Sequence, residues 1–141
     1  MIILENNTDG KINLEILEDI ASSLNVKRDI ELLIVDNNTI QSINKEYRNI
    51  DKATDVLSFP LENIEHTPLG SIIISIDKAV EVSNNLGHSV DNEISLLFTH
   101  GLLHLLGFDH EIDNGEMRQK EEEIITKFNL PKSLIIRTKG E

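Results

Sequence analysis

The chain contains no cysteine. That absence excludes a disulfide scaffold, a thiol nucleophile, and any zinc ribbon or iron–sulfur cluster built on thiolates, and it suits a reducing compartment. Long apolar runs are also missing. Ile72-Ile73-Ile74 and Leu102-Leu103-His104-Leu105-Leu106 are the longest, far short of the ~18 residues of a membrane span. The opening segment, Met1-Ile2-Ile3-Leu4-Glu5-Asn6-Asn7, carries neither the basic region nor the apolar core of a signal peptide. Together these absences point to a soluble, cytoplasmic protein. Only three prolines occur, and no repeat, linker or low-complexity tract interrupts the 141 residues. Against a prior of roughly 150 residues per domain, one domain spanning residues 1–141 is expected, large enough to bury a core without staples. Positive charge is scarce: thirteen Lys and Arg face twenty-five Asp and Glu, a formal net charge of −12. Such a surface repels a phosphate backbone at long range, so any nucleic-acid partner must meet a local basic or metal-bearing cleft.

Hydrophobic periodicity predicts strands alternating with helices. Met1–Glu5 reads as a short strand, followed by the turn cluster Asn6-Asn7-Thr8-Asp9-Gly10. Ile12, Ile16, Ile20 and Leu24 recur every fourth residue beside Leu17 and Ala21, the pattern of an amphipathic helix. Ile30–Val35 is a strand, and Asp36 offers an oxygen to the first N–H groups of a helix bearing Ile40, Ile43 and Tyr47 on one face. Val56–Phe59 is a strand stopped by Pro60, and Leu61–Leu69 is a loop. The β-branched run Ile72–Ile76 is a central strand, with Asp77 capping the next helix. Asp91 or Asn92 caps a helix whose Ile94, Leu97, Phe98, Leu102 and Leu105 form a broad apolar face, ended by Gly107. A last helix covers roughly Gly115–Phe128, with Met117, Ile124, Ile125 and Phe128 inward and Glu121-Glu122-Glu123 outward. The expected class is α+β, α/β-like: a small mixed four-stranded sheet packed by about five helices.

Three of the five histidines share one pattern, His100-Gly101-Leu102-Leu103-His104-Leu105-Leu106-Gly107-Phe108-Asp109-His110. Positions four apart stack on a helix, so His100 and His104 project from one face. Gly107 takes positive φ at little steric cost, turning the chain so that His110 swings back towards them. Three neutral imidazoles at about 2.0–2.1 Å occupy three corners of a tetrahedron and leave one for water or substrate. His66 and His88 lack such partners and are expected at the surface. The spacing is that of the metzincin peptidases, H-E-x-x-H-x-x-G-x-x-H, on a helix followed by a turn. Where those enzymes carry a glutamate general base, this chain has Gly101, which takes no proton. A metallopeptidase is therefore the least favoured reading.

A second polar cluster, Tyr47-Arg48-Asn49-Ile50-Asp51-Lys52-Ala53-Thr54-Asp55, leads into the Val56 strand. Arginine suits phosphate because its planar fork donates paired hydrogen bonds and stays charged. Taken with the run to Pro60, with Leu69-Gly70-Ser71-Ile72-Ile73-Ile74-Ser75 and with the histidine motif, the chain resembles the YbeY family of bacterial endoribonucleases and ribosomal-RNA maturation factors. The resemblance implies a zinc-dependent, single-strand-specific endoribonuclease acting in 3′-end maturation of 16S ribosomal RNA and in late ribosome quality control. It further implies one zinc ion held by His100, His104 and His110, with Arg48 as the catalytic residue facing the metal. Lys52 and Asp55 are candidate substrate-binding residues. Single-stranded or ribosomal RNA and the ribosome or its associated proteins would be the partners, with no membrane involved. The alternative is a non-catalytic, zinc-containing ribosome-assembly factor. One departure is Ser71, where the family commonly has an acidic residue.

Overall fold

Ile30, Leu32 and Ile34 alternate along one extended segment with Leu33 and Val35, and both sets are at least half-buried. A strand apolar on both faces must be covered on both, which places it inside a sheet sandwiched by helices. The computed structural model, which describes residues 1–62, 64 and 66–131, has this arrangement. Strands β1 (Ile2–Asn6), β2 (Ile30–Val35), β3 (Val56–Pro60) and β4 (Gly70–Ser75) form a sheet in the order β1-β2-β4-β3. The first three in that order run parallel, and β3 pairs antiparallel at the edge, with Ser58 opposite Ile72. Five helices accompany it among the described residues: α1 (Leu14–Ser23), α2 (Asn37–Arg48), α3 (Ile76–Leu86), α4 (Val90–Leu105) and α5 (Glu116–Phe128). The class is α+β, as the hydrophobic patterning predicts.

Strand alternation divides the apolar residues between two cores. Leu32, Ile34, Ile72 and Ile74 join residues of α1, α3, α4 and α5 in the larger one. Val35, Leu57 and Ile73 meet Ile40 of α2 on the opposite face. Among the described residues, no helix is long and apolar enough to cross a membrane.

Several element ends differ from the sequence expectation, each for a local reason. Strand β4 stops at Ser75, whose hydroxyl accepts from the Lys78 N–H at 3.2 Å and so caps α3. Asp77 instead sits in the first turn and accepts the Asn37 N–H at 2.9 Å, joining α3 to α2. Ser89, rather than Asp91 or Asn92, caps α4, accepting from Asn92 at 3.1 Å. Asp36 does cap α2, and hydrogen bonding to Thr39 holds its carboxyl below the usual aspartate range. Pro60 belongs to β3 and ends it, tolerated because an edge strand has one side without ladder bonds. His88 is not a surface residue. Gly87 closes α3 at φ 76° and turns His88 back onto α4, where its Nε2 lies 2.8 Å from the buried carboxylate of Glu93. His66, by contrast, is exposed in the Leu61–Leu69 loop.

Two glycines set how closely α4 approaches the sheet. A Cβ on Gly101 would stand 3.1 Å from Ile72 and 3.4 Å from Val56; one on Gly70 would stand 2.5 Å from the Phe59 carbonyl and 2.7 Å from Leu105. Backbone cannot yield as a side-chain tip can, so Gly70 is the stricter position. Gly70→Ala is expected to destabilise the fold by about 1–3 kcal/mol, read as a lower urea midpoint at unchanged slope.

Candidate metal centre

Helix α4 lies across β3 and β4 with an almost wholly buried surface; His100 and His104 are its half-buried residues near the C-terminal end. Their Nε2 atoms are 3.3 Å apart and their ring centroids 4.8 Å apart. The helix ends at Leu105, and Gly107 follows at φ 99°. His110 comes back over the two helical rings, with centroid distances of 5.6 Å and 5.9 Å. One ligating atom from each residue lies within 4.8 Å of the others. The helical pair stands at the edge length of a tetrahedron with 2.0–2.1 Å bonds, and the set as a whole is somewhat wider than the 3–4 Å which bound zinc would impose.

The residues fit a divalent ion. His110 Nδ1 is buried with no hydrogen-bond partner, an arrangement that costs free energy in an imidazole cluster unless something electrophilic engages it. His104 has its pKa lowered, first by burial and then by repulsion from His100 and His110, against smaller opposing effects from the Phe108 backbone and Asp109. Neutral imidazole is the ligating form. Three nitrogen donors without thiolate suit zinc, and by affinity nickel or copper as well.

Glu121 completes this centre, and the sequence reading placed it wrongly on a solvated face. Its side chain is fully buried, and Oε2 accepts from His100 Nδ1 at 3.1 Å. That bond leaves the His100 Nε2 lone pair directed at His104. The missed signal was periodicity: residue 121 falls four after Met117 and three before Ile124, on the inward stripe of α5. Glu122 and Glu123 are exposed as expected.

The three histidines open into a cleft of about 690 Å³ whose other wall includes Arg48, Asp55 and Ser58. Arg48 ends α2, where Asn49 adopts the left-handed conformation at φ 58° and closes the helix. Lys52 is exposed and is not part of the lining. Its backbone carbonyl accepts from the buried Asn44 side chain at 3.0 Å, fastening the loop to α2. Asp55 does line the cleft, and its Oδ1 accepts the Val56 N–H at 2.8 Å. Asp109 and Glu111 also line it, so the described wall sets one guanidinium against three carboxylates. Of the two expected forms of the cleft, basic or metal-bearing, the described lining suits the second, in which a bound cation would supply most of the positive field. Ser71 lies outside the cleft and donates to Glu31 at 3.2 Å.

A family profile for Endoribonuclease YbeY matches residues 3–129 of the chain. Among curated relatives, the Endoribonuclease YbeY of Nautilia profundicola is 60% identical over 137 residues, covering 97% of this chain and 98% of its own. That of Campylobacter jejuni subsp. jejuni serotype O:23/36 is 62% identical over 127 residues, covering 89% and 94%. A Thermotoga maritima protein solved in solution shares the fold at a TM-score of 0.61, with 24% identity and 92% of each chain covered.

Two variants test how the centre is built. Glu121→Ala, which strands the His100 N–H, should weaken zinc binding about 10- to 100-fold in a chelator-competition titration. A Cβ on Gly107 meets nothing within 4 Å, so substitution costs only backbone strain. Gly107→Val should therefore lose about 1–2 kcal/mol of stability, and Gly107→Asn distinctly less, by urea unfolding.

Proposed function

The chain belongs to the Endoribonuclease YbeY family and is a nuclease acting on RNA; from that premise we propose that it is a zinc-dependent, single-strand-specific endoribonuclease that matures the 3′ end of 16S ribosomal RNA. In this reading it works in the cytoplasm with the ribosome or ribosome-associated proteins, takes part in late ribosome quality control, and forms a single catalytic domain over residues 1–141. One observation carries the site assignment. Arg48 from α2 and three imidazoles from α4 and its following turn line one cleft although they are far apart in sequence.

His100, His104 and His110 hold the ion, and Glu121 orients His100 for that task. Zinc bound there supplies Lewis acidity for phosphodiester hydrolysis. Arg48 takes up a non-bridging phosphate oxygen through its paired N–H donors, stabilising the charge that grows there in the transition state. Asp55 is a positioning residue that holds the start of β3, since its carboxylate is already engaged by the Val56 N–H. Lys52, exposed outside the cleft, contributes at most to the approach of the strand.

Two features weigh against a peptidase. Position 101 is a glycine, which supplies no general base, and a Cβ there would stand 3.1 Å from Ile72, so a larger residue would need that side chain to give way. A peptide substrate would also need to pair with the open edge of β3. Leu61 donates to Leu69, and Ser75 to Asp55, so in this register the odd residues of β3 bond to β4 and the even ones face outward. Of the outward donors, the Val56 N–H is taken by Asp55 and Pro60 has none. Ser58 alone is left as an outward donor, so a peptide added here would gain few bonds to β3 N–H groups.

Arg48→Ala should lower cleavage of a single-stranded oligoribonucleotide about 10²-fold or more, with zinc content and melting temperature nearly unchanged. Arg48→Lys should recover only part of the loss, because an ammonium keeps the charge without the fork. Wild-type cleavage by Arg48→Ala would overturn the role. His104→Ala should lose both metal and activity.

A further inference from the structure

A protein of net charge −12 whose cleft presents Arg48 against Asp55, Asp109 and Glu111 gains little from neutralising phosphates. Each neutralised phosphate contributes one small step of counterion release, and nearby Lys45 already lies 3.9 Å from Asp51. Holding a single strand then calls for contacts to the bases, whose faces stack on aromatic rings. The chain has four phenylalanines, one tyrosine and no tryptophan. Phe98 is fully buried, Phe128 packs on the larger core and Phe59 on the smaller. Phe108 lines the cleft and packs on Leu103 and Met117. Tyr47 is different: it is 67% exposed, with its ring edge-on to Phe59 at a centroid distance of 5.6 Å and an interplanar angle of 60°.

We propose that Tyr47 is a base-stacking platform for single-stranded RNA, immediately outside the metal cleft, for the nucleotide next to the phosphate that Arg48 holds. The proposal rests on the RNA-cleaving reading above. Tyr47 and Arg48 are consecutive in the last turn of α2, so their side chains diverge by about 100° around the helix. Arg48 turns to the cleft, while Tyr47 lies against Phe59, on the face of β3 covered by α2. A strand leaving the cleft across the β3 edge passes from one to the other. The edge-on contact with Phe59 holds the ring while most of it remains accessible, so little rotamer freedom is lost when a base docks.

The test uses the zinc-loaded full chain and an unstructured oligoribonucleotide. Tyr47→Ala should raise KM roughly 5- to 100-fold with kcat, zinc content and melting temperature near wild type, and Tyr47→Phe should restore KM. Tyr47→Trp creates the sole tryptophan, whose fluorescence should be quenched by the oligoribonucleotide but not by an abasic strand of the same length. An unchanged KM in Tyr47→Ala overturns the platform, as does equal quenching by the abasic strand. Absence of cleavage by the wild type would instead sink the nuclease reading, while the quenching comparison still decides whether bases stack at this position.

Discussion

The close seating of α4 on β3 and β4 is the contact on which the rest of the molecule depends. At Gly101 a Cβ would press on Ile72 at 3.1 Å, and Gly70 clears the space that Leu105 and the Phe59 carbonyl occupy. Interiors pack too densely for this spacing to be recovered elsewhere once a methyl group intrudes. With α4 at that height, His100 and His104 stand beside the sheet edge, above the strand that forms the opposite wall of the cleft. Helix α5 then packs behind α4 and delivers Glu121 to His100. A helix set farther from the sheet would separate the histidines from the strand β3 wall of the cleft and from Arg48.

The buried Glu121 carboxylate is costly to desolvate and is retained against that cost by a charge-assisted hydrogen bond. Its placement allows the imidazole nitrogens to divide their work, Nδ1 to the carboxylate and Nε2 to the centre. The other acidic groups serve different ends. Glu122 and Glu123 are exposed on α5, and Glu18 accepts the Ile2 N–H at 3.0 Å, fastening β1 to α1. In the reading proposed above, an acidic protein that handles RNA would concentrate its attraction in a few places: a cation site, one guanidinium and an accessible ring. Under the proposed function, selectivity for an unpaired strand would follow from contacts that a duplex cannot offer, because its bases are already stacked.

Strand and helix order was legible because apolar periodicity is a local record of what each segment must bury. Ile30–Val35 and the stripe of α1 read correctly for this reason. The ends of helices were less legible, since several capping residues compete within two positions. At α3 and α4, serines won over nearby acidic residues because the serine hydroxyls lay in reach of the free N–H groups. The histidine spacing was also local, since a helical repeat and one glycine turn suffice to gather three rings. Arg48 was proposed from a resemblance, and no periodicity brings the end of α2 to the end of α4.

By itself the sequence determined the class of the fold, the three histidines as a set and the turn that returns His110, because each depends on spacing within a dozen residues. Only the tertiary structure decided what surrounds them. Glu121 was hidden inside a run of three glutamates until α5 packed against α4, and His88 was assigned to solvent until the Gly87 turn directed it at Glu93. Lys52 and Asp55 differ by three positions, yet only Asp55 reaches the cleft. Such pairings join residues from separate elements, and their geometry exists only once helices and sheet have packed at a particular distance and angle.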